Sequence, residues 1–296
     1  CIAAIGALAG ATAAEVFEAK GLHVLPGAID TQVHFREPGN AHKEDLATGS
    51  LAAVLGGVTG VIEMPNTAPP TTDRAATEDK LARAKGRMWC DHAFYAGATP
   101  ANIGALATLE RMPGVCGIKA FLGSSTGTLL LSKEADILAA LKAGRRRVAV
   151  HSEYEDRLIS RKALAERGKP QTHPVWRDVE TARLSTERVL RLARAAGRRL
   201  HVLHVTTAEE IPLLAAAKDF ATAETTPQHL TLSAPECYER LGSYAQMNPP
   251  IRDERHRAAL WEAVRQGVID VIGSAHAPHT REEKRREYPG TPSGMP

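Results

Sequence analysis

Short apolar runs alternate with amphipathic stretches along almost the whole chain. Eight runs rich in Val, Ile, Leu and Ala are typical of strands: LHVLPGAIDTQVHF, GVTGVIEMPN, DHAFYAGAT, GIKAFLG, RRVAVHSE, RLHVLHVTT, FATAETTPQ and DVIGSAHAPH. Between most of them, apolar residues recur at helical spacing, as in KEDLATGSLAAVLGG, PANIGALATLERM, KEADILAALKAG and RDERHRAALWEAVRQG. The pattern therefore predicts strands and helices in regular alternation.

This alternation predicts an α/β fold with a parallel sheet and helices on its outer face. Eight strand signals favour a closed (β/α)₈ TIM-like barrel. The alternative is a doubly wound open sheet, but no GxGxxG follows the first strand.

The domain organisation follows from where the alternation begins and ends. Residues 1–24 show no helical pattern, and we expect them to be the remnant of a small β-sandwich domain, a partial β-structure at the N-terminus. Residues 25–296 then form the barrel. Only about 20 residues follow the eighth strand signal, too few for the closing helix of a barrel, so we expect a chain truncated after strand eight.

Composition and charge argue against several classes of function. The 296 residues are 43% hydrophobic with a net charge of +3, and basic residues are not interleaved with aromatic ones. We therefore expect no nucleic-acid partner. No apolar run reaches the roughly 18 residues of a membrane span, so no membrane role is expected. The four cysteines form no CxxC pair, which favours a reducing, cytoplasmic compartment.

Polar side chains recur where the predicted strands end, which is the edge where barrel enzymes place their active sites. In the first run, Gln32, His34 and Arg36 occupy every second position and share one face. The ends of later strands carry Asn66, Lys119, His151, His204, His229, His276 and His279.

Several histidines that converge from different strands indicate a metal site, because neutral imidazole is a good ligand for Zn²⁺. A buried Lys119 in GIKAFLG would be costly unless paired or modified, and carbamylation by CO₂ would turn it into an oxygen ligand. Each residue also has a structural interpretation. A single histidine on a strand is more often a core residue, a single lysine more often pairs with an acid, and Asn66 is a turn former. The joint position of His34, His151 and His204 favours the metal site.

The motifs HFREPG, HKEDL, GGVTGVIEMPNT, GIKAFLGSSTG, HSE, LHVTTAEE, MNPPIR and HAPHT follow one another in this order. Together they resemble the amidohydrolase superfamily, and within it the dihydroorotases of the cyclic amidohydrolase group, from about residue 24 to the end of the chain. The resemblance implies a (β/α)₈ barrel, a small β-sandwich built from both termini, and usually two zinc ions. It also implies a reaction that interconverts N-carbamoyl-L-aspartate and L-dihydroorotate in pyrimidine biosynthesis.

The resemblance also implies roles for individual residues. His34 would bind the more buried zinc, a carbamylated Lys119 would bridge both ions, and His151 and His204 would bind the second. Three residues would hold the substrate carboxylate and a fourth would contact the substrate ring; these are Arg36, Asn66, His279 and, for the ring, Asn248.

The chain departs from the family pattern at three positions. Gln32 replaces the first histidine of a His-x-His pair, and its amide oxygen would be only a weak ligand. Ala275 stands where the family has the catalytic aspartate, a metal ligand that also moves the proton. Loss of such a group commonly costs about 10²–10⁴ in rate. Gln228, where the motif TPHHL would be expected, is a milder departure.

Three functions are compatible with this set of residues. The first is a dihydroorotase acting on a small-molecule substrate, impaired at Ala275. The second is an allantoinase or dihydropyrimidinase, against which Arg36 argues because their substrates lack the carboxylate. The third is a non-catalytic homologue that partners aspartate carbamoyltransferase, which Gln32 and Ala275 favour and the retained Lys119 disfavours. We expect a homo-oligomer in each case.

Overall fold

Eight parallel strands form the centre of the fold in the computed structural model, which describes residues 2–125 and 128–296. Cys1, and Thr126 and Gly127 of the motif GIKAFLGSSTG, lie outside the described residues. The strands are β1 (Ala28–Val33), β2 (Val58–Glu63), β3 (Asp91–Gly97), β4 (Val115–Phe121), β5 (Val148–His151), β6 (Leu200–Val202), β7 (Ala221–Thr225) and β8 (Val271–Ile272).

The strands pair in chain order from β1 to β8, and every pair is parallel. Past the end of β8 the chain returns to β1, where Val33 pairs with His276 and the His34 amide donates to the His276 carbonyl at 2.8 Å. A doubly wound sheet would reverse its strand order at a switch point. The predicted (β/α)₈ barrel is therefore confirmed, and the open sheet was the wrong alternative.

Helices follow the strands along the chain. They are α1 (Leu46–Leu55), α2 (Arg74–Ala84), α3 (Leu106–Leu109), α4 (Glu134–Lys142), α5 (Glu155–Arg161), α6 (His173–Trp176), α7 (Val179–Ala196), α8 (Ile211–Ala215), α9 (Pro227–Thr231), α10 (Glu236–Leu241), α11 (Glu254–Arg265) and α12 (Arg281–Lys284). Short 3₁₀ turns span Pro100–Ala105, Lys162–Leu164, Pro170–Thr172 and Gly242–Ala245.

Burial explains why these segments adopt these elements. Strands β4 and β5 are almost wholly buried because the barrel interior covers one face and helices cover the other. Helix α7 buries residues three and four apart, such as Ala182, Ser185 and Val189, against the barrel. Asp178 caps its first turn by accepting from the Thr181 amide, and Gly197 ends it in the left-handed conformation with φ of 62°.

Two segments differ from the sequence pattern. PANIGALATLERM, predicted as one helix, divides into the 3₁₀ turn Pro100–Ala105 and the short α3, because Asn102 bonds back to the Thr99 amide and to the Gly97 carbonyl. Residues 2–27 form neither helix nor strand and are almost entirely exposed, pairing with no other strand among the described residues. The small β-sandwich over residues 1–24 stays a prediction.

Within the described ranges, no helix combines the length and the apolar character that a bilayer crossing would require.

Candidate metal centre and active site

A cavity of about 40 Å³ lies at the carboxyl ends of the strands, where predicted site residues from distant parts of the chain meet. Six of them line it: Gln32, His34, His151, His204, Asn248 and Ala275. Phe121, Ser125 and Gly294 complete much of the wall. Four other predicted site residues do not line this cavity: Arg36, Asn66, Lys119 and His279.

His151 and His204 form the centre of the site. His151 Nδ1 lies 3.2 Å from His204 Nε2, and the two rings meet edge to face. Both side chains are buried, at 1% and 4% exposure. Burial is the main cause that lowers the pKa of each histidine, and for His151 the Glu153 carboxylate partly opposes it. Both imidazoles are therefore neutral, which is the form that binds metal ions.

His34 approaches the same cavity from the end of β1. Its Nδ1 lies 2.8 Å from Asn66 Oδ1, so Nδ1 carries the proton and Nε2 keeps its lone pair. Burial lowers the pKa of His34 well below its usual value, and Arg36 and Lys119 add to this. Asn66 is thus the partner of a candidate ligand, and its expected contact with the substrate carboxylate stays a prediction.

Lys119 lies in β4 with its side chain in the barrel interior. It is 1% exposed, and its Nζ has no hydrogen-bond partner among the described residues. Its Nζ lies 4.5 Å from the centroid of the Phe121 ring. Burial lowers the pKa of Lys119 well below its usual value, and only Glu224 opposes this. An unpaired buried amine has a high energetic cost, which indicates a group that binds or reacts.

The residues present fit a metal ion. Two nitrogens bound to one tetrahedral zinc lie about 3.3 Å apart, close to the 3.2 Å between His151 Nδ1 and His204 Nε2. Gln32 Oε1 and Lys119 Nζ are buried polar atoms without partners in the described ranges. Against this, no group of three or more His, Cys, Asp or Glu in metal-binding geometry occurs among those residues. Among the described residues, His34 therefore does not complete a three-ligand group with His151 and His204.

Backbone strain is concentrated at the same edge. Arg36, His204 and Ala275 are the non-glycine residues with positive φ in the described chain, at 64°, 38° and 50°. Such conformations are uncommon outside glycine and tend to occur at functional sites. Asp and Asn tolerate this region better than Ala does. The backbone at Ala275 therefore keeps a geometry that suits an aspartate, although the side chain is a methyl group.

Arg36 and His279 lie together beside the cavity. Lys43 Nζ can only donate and lies 3.2 Å from His279 Nδ1, so that nitrogen accepts and Nε2 carries the proton. Nε2 then donates to the Ser293 carbonyl at 3.1 Å. Arg36 Nη2 also lies 3.1 Å from Nε2 but finds no lone pair there. Burial, Arg36 and Lys43 lower the pKa of His279 to about 3, so it stays neutral.

The guanidinium of Arg36 is otherwise fixed by one hydrogen bond from Nε to the Pro278 carbonyl at 3.0 Å. Arg36 is 6% exposed, so its position is well defined. Arg36 Nη2 therefore has no hydrogen-bond acceptor in His279. A guanidinium with such a donor available can bind a carboxylate.

Asn248 reaches the cavity with both ends of its amide engaged. Its Oδ1 accepts from His173 Nε2 at 3.0 Å, and its Nδ2 donates to Ser125 Oγ at 3.3 Å. His173 thus positions a cavity residue.

Sequence reasoning missed three further residues at the site. Glu153 accepts from His151 Nε2 at 2.8 Å, and Arg177 pairs with Glu153. Burial alone would raise the pKa of Glu153, but Arg177 and His151 hold it at about 2. Lys43, the third, contacts His279 as described. Glu153 and Lys43 belong to the quoted motifs HSE and HKEDL, so position within a motif was a signal that could have found them.

Comparisons with known proteins identify the family of this chain. The family model described as "Amidohydrolase family" matches residues 23–288. A protein named dihydroorotase from Halobacterium salinarum is 38% identical over 279 residues, covering 92% of this chain and 64% of that protein. A protein named allantoinase from Rubrobacter xylanophilus is 36% identical over 299 residues, covering 97% of this chain and 65% of that protein. The chain thus spans just under two thirds of the length of these two relatives.

A solved structure has the same architecture. The L-hydantoinase (dihydropyrimidinase) of Arthrobacter aurescens superposes with a TM-score of 0.90 at 27% identity, covering 98% of this chain and 66% of that one. The resemblance predicted from the motifs is therefore confirmed at the level of family and fold. This chain belongs to the amidohydrolase family.

Proposed function

We propose that this chain is the barrel of a zinc-dependent cyclic amidohydrolase of pyrimidine biosynthesis, which interconverts L-dihydroorotate and N-carbamoyl-L-aspartate. The observation that carries the proposal is the position of Arg36. Its guanidinium lies beside the histidine cavity with one face of its fork short of an acceptor. A carboxylate beside the reacting amide is what such a group would bind.

One or two zinc ions would be held here, with His34 for the more buried ion, His151 and His204 for the second, and Lys119 serving both. His34, His151 and His204 supply neutral imidazoles, and Lys119 supplies a buried amine that CO₂ would convert to a carbamate, with release of one proton. Gln32 would be a weak additional ligand through its unpartnered Oε1. Bound there, zinc supplies Lewis-acid activation of water and of the scissile carbonyl.

The remaining side chains would bind and orient the substrate. Arg36 would hold the carboxylate, and the Lys43 contact keeps His279 in one tautomer next to it. Asn248 would contact the ring from the cavity wall. Asn66 would act through His34, whose Nδ1 it holds.

Ala275 is the weak point of this proposed site. It lines the cavity but has neither a ligand nor a proton acceptor. We propose that the natural activity of the chain is therefore low, in a cytoplasmic homo-oligomer. The alternative is a non-catalytic partner of aspartate carbamoyltransferase, which the combination of Gln32 and Ala275 favours.

Restoring the acid tests the proposal. A275D should raise dihydroorotate hydrolysis by about 10²–10⁴, because the backbone conformation at this position suits aspartate. A275N is the matched control: it also tolerates this conformation but is not a base, so it should give no comparable gain. A zinc-loaded A275D protein that stays inactive would contradict catalysis and favour the partner role.

Substrate comparison tests the finer claim. The restored enzyme should prefer dihydroorotate to allantoin and to a hydantoin, and R36M in that background should abolish the preference. A restored enzyme that prefers either of the other two cyclic amides would place this chain with the relatives of those names.

A further inference from the structure

His151 has a second contact on the side of its ring that faces away from the cavity. Its Nε2 lies 2.8 Å from Glu153 Oε2, and the two side chains are 1% and 0% exposed. An ionised carboxylate can only accept, so Nε2 carries the proton and Nδ1 keeps its lone pair. Nδ1 is the atom that faces His204 across the candidate metal position.

Glu153 is fixed in turn by Arg177. Arg177 is 3% exposed, and its Nη1 pairs with the same Oε2 that His151 contacts. Its Nη2 donates to the backbone carbonyl of Ser124. The guanidinium therefore joins the carboxylate behind His151 to the loop that follows β4.

That loop forms part of the cavity wall. Ser125, the next residue, lines the cavity and accepts from Asn248 Nδ2 at 3.3 Å. Gly123 lets the loop approach β5 closely, because a Cβ there would lie 2.5 Å from the Glu153 carbonyl oxygen. The ends of β4 and β5 are thus in direct contact beside the site.

We propose that Glu153 and Arg177 are positioning residues for the metal centre. Glu153 sets the tautomer and ring orientation of His151 so that Nδ1 faces the cation. Arg177 acts through Glu153 and connects that orientation to the Ser124–Ser125 wall. Ligand histidines commonly depend on such partners, whose loss costs about 10–100-fold in metal affinity. The inference rests on the proposed metal site.

The experiment measures metal affinity rather than activity. Apo protein is titrated with Co²⁺ and Zn²⁺ against a competing chelator, and the absorption spectrum of bound Co²⁺ reports ligand geometry. The variants are E153A, E153Q, R177M and the double variant E153A/R177M, which removes both members of this ion pair. E110A is the matched control, because Glu110 is also buried and pairs with Arg198, but near Arg145 before β5, at the opposite end of the barrel.

We expect E153A to weaken metal binding about 10–100-fold and to change the Co²⁺ spectrum. E153Q should recover part of the affinity, because an amide oxygen still accepts from Nε2. R177M should weaken binding, and the double variant should bind like E153A, since Arg177 acts through Glu153. E110A should lose stability without a change in metal affinity.

A second measurement needs no variant. Nitrogen-15 NMR of the apo wild-type protein should find His151 protonated at Nε2, and protonation at Nδ1 would overturn the inference. If the wild-type protein binds metal and E153A binds it with the same affinity, the positioning role of Glu153 is overturned while the proposed metal site stands. Wild-type protein that takes up neither Co²⁺ nor Zn²⁺ would overturn the proposed metal site and this inference with it.

Discussion

Among the buried polar atoms that lack partners in the described residues, Lys119 Nζ and Gln32 Oε1 indicate a binding site more directly than the histidines do. Lys119 Nζ and Gln32 Oε1 are both enclosed by the fold, at 1% and 2% residue exposure. A protein that needed these positions only for packing would gain stability from apolar side chains there. Their retention therefore indicates a function that the metal-free fold does not satisfy.

Replacing Lys119 separates stability from function. K119M removes an unpaired buried amine while keeping a long side chain, so the metal-free protein should become more stable by about 1–3 kcal/mol. Metal uptake should fall sharply, because a thioether cannot be carbamylated. Urea unfolding of the apo protein and metal analysis measure the two effects. A destabilised K119M apo protein would show that Lys119 has a partner in solution.

At the scale of elements, the start of α7 positions Arg177 and hence Glu153. Asp178 follows Arg177 directly and caps the helix by accepting from the Thr181 amide. Arg157 and Arg161 also pair with the Asp178 carboxylate. The helix cap and the ion pairs thus share one side chain beside the site.

Two substitutions distinguish these contributions. D178A should lower the free energy of unfolding by about 1–2 kcal/mol, because the cap is lost. D178N should cost less than D178A, since asparagine caps as well, although it weakens the partly buried contacts with Arg157 and Arg161. Urea unfolding of the two variants measures the difference. Equal losses would mean that the charge, rather than the cap, stabilises the start of α7.

At the scale of the whole molecule, the barrel buries several histidines in neutral form outside the candidate ligand set. Burial, with Arg177 next in importance, lowers the pKa of His173 to about 3, and burial lowers that of His229 to about 4. Both rings bond within the loops that form the cavity edge, His173 to Asn248 and His229 to the Pro249 carbonyl.

This burial predicts acid sensitivity. Below about pH 6.5, the ordinary histidine value, the unfolded chain binds protons that the folded chain refuses, so stability falls as the pH drops. Each of the two histidines should contribute about 1.4 kcal/mol per pH unit down to its folded pKa. Urea unfolding of apo protein at several pH values between 7.5 and 4.5 measures the slope.

The variant H229Q checks the assignment. Below pH 6.5, the unfolding free energy of H229Q should change less steeply with pH than that of the parent, by the contribution of one histidine. Above pH 7 the two slopes should coincide. A parent protein whose stability is flat between pH 7 and pH 5, or an H229Q slope equal to the parental one, would show that these rings are protonated in the fold.

Much of the architecture could be predicted because it depends on local pattern. Alternating apolar runs and helical periodicity predicted all eight strands and the barrel order. Parallel strands buried on both faces appear in the sequence as nearly continuous apolar runs, which makes them recognisable. The boundaries were less predictable: β1 ends at Val33, and Arg36 leaves it with a positive φ. The alternation of Gln32, His34 and Arg36 therefore holds only for the first two, which line the cavity.

The sequence alone determined the family, the barrel and the set of polar residues at strand ends, because each depends on residue type and spacing along the chain. Only the tertiary structure decided which side chain each histidine nitrogen contacts. It paired Asn66 with His34, Lys43 with His279 and Glu153 with His151. The physical reason is that hydrogen-bond direction and burial arise between residues distant in sequence, which meet only when the barrel closes.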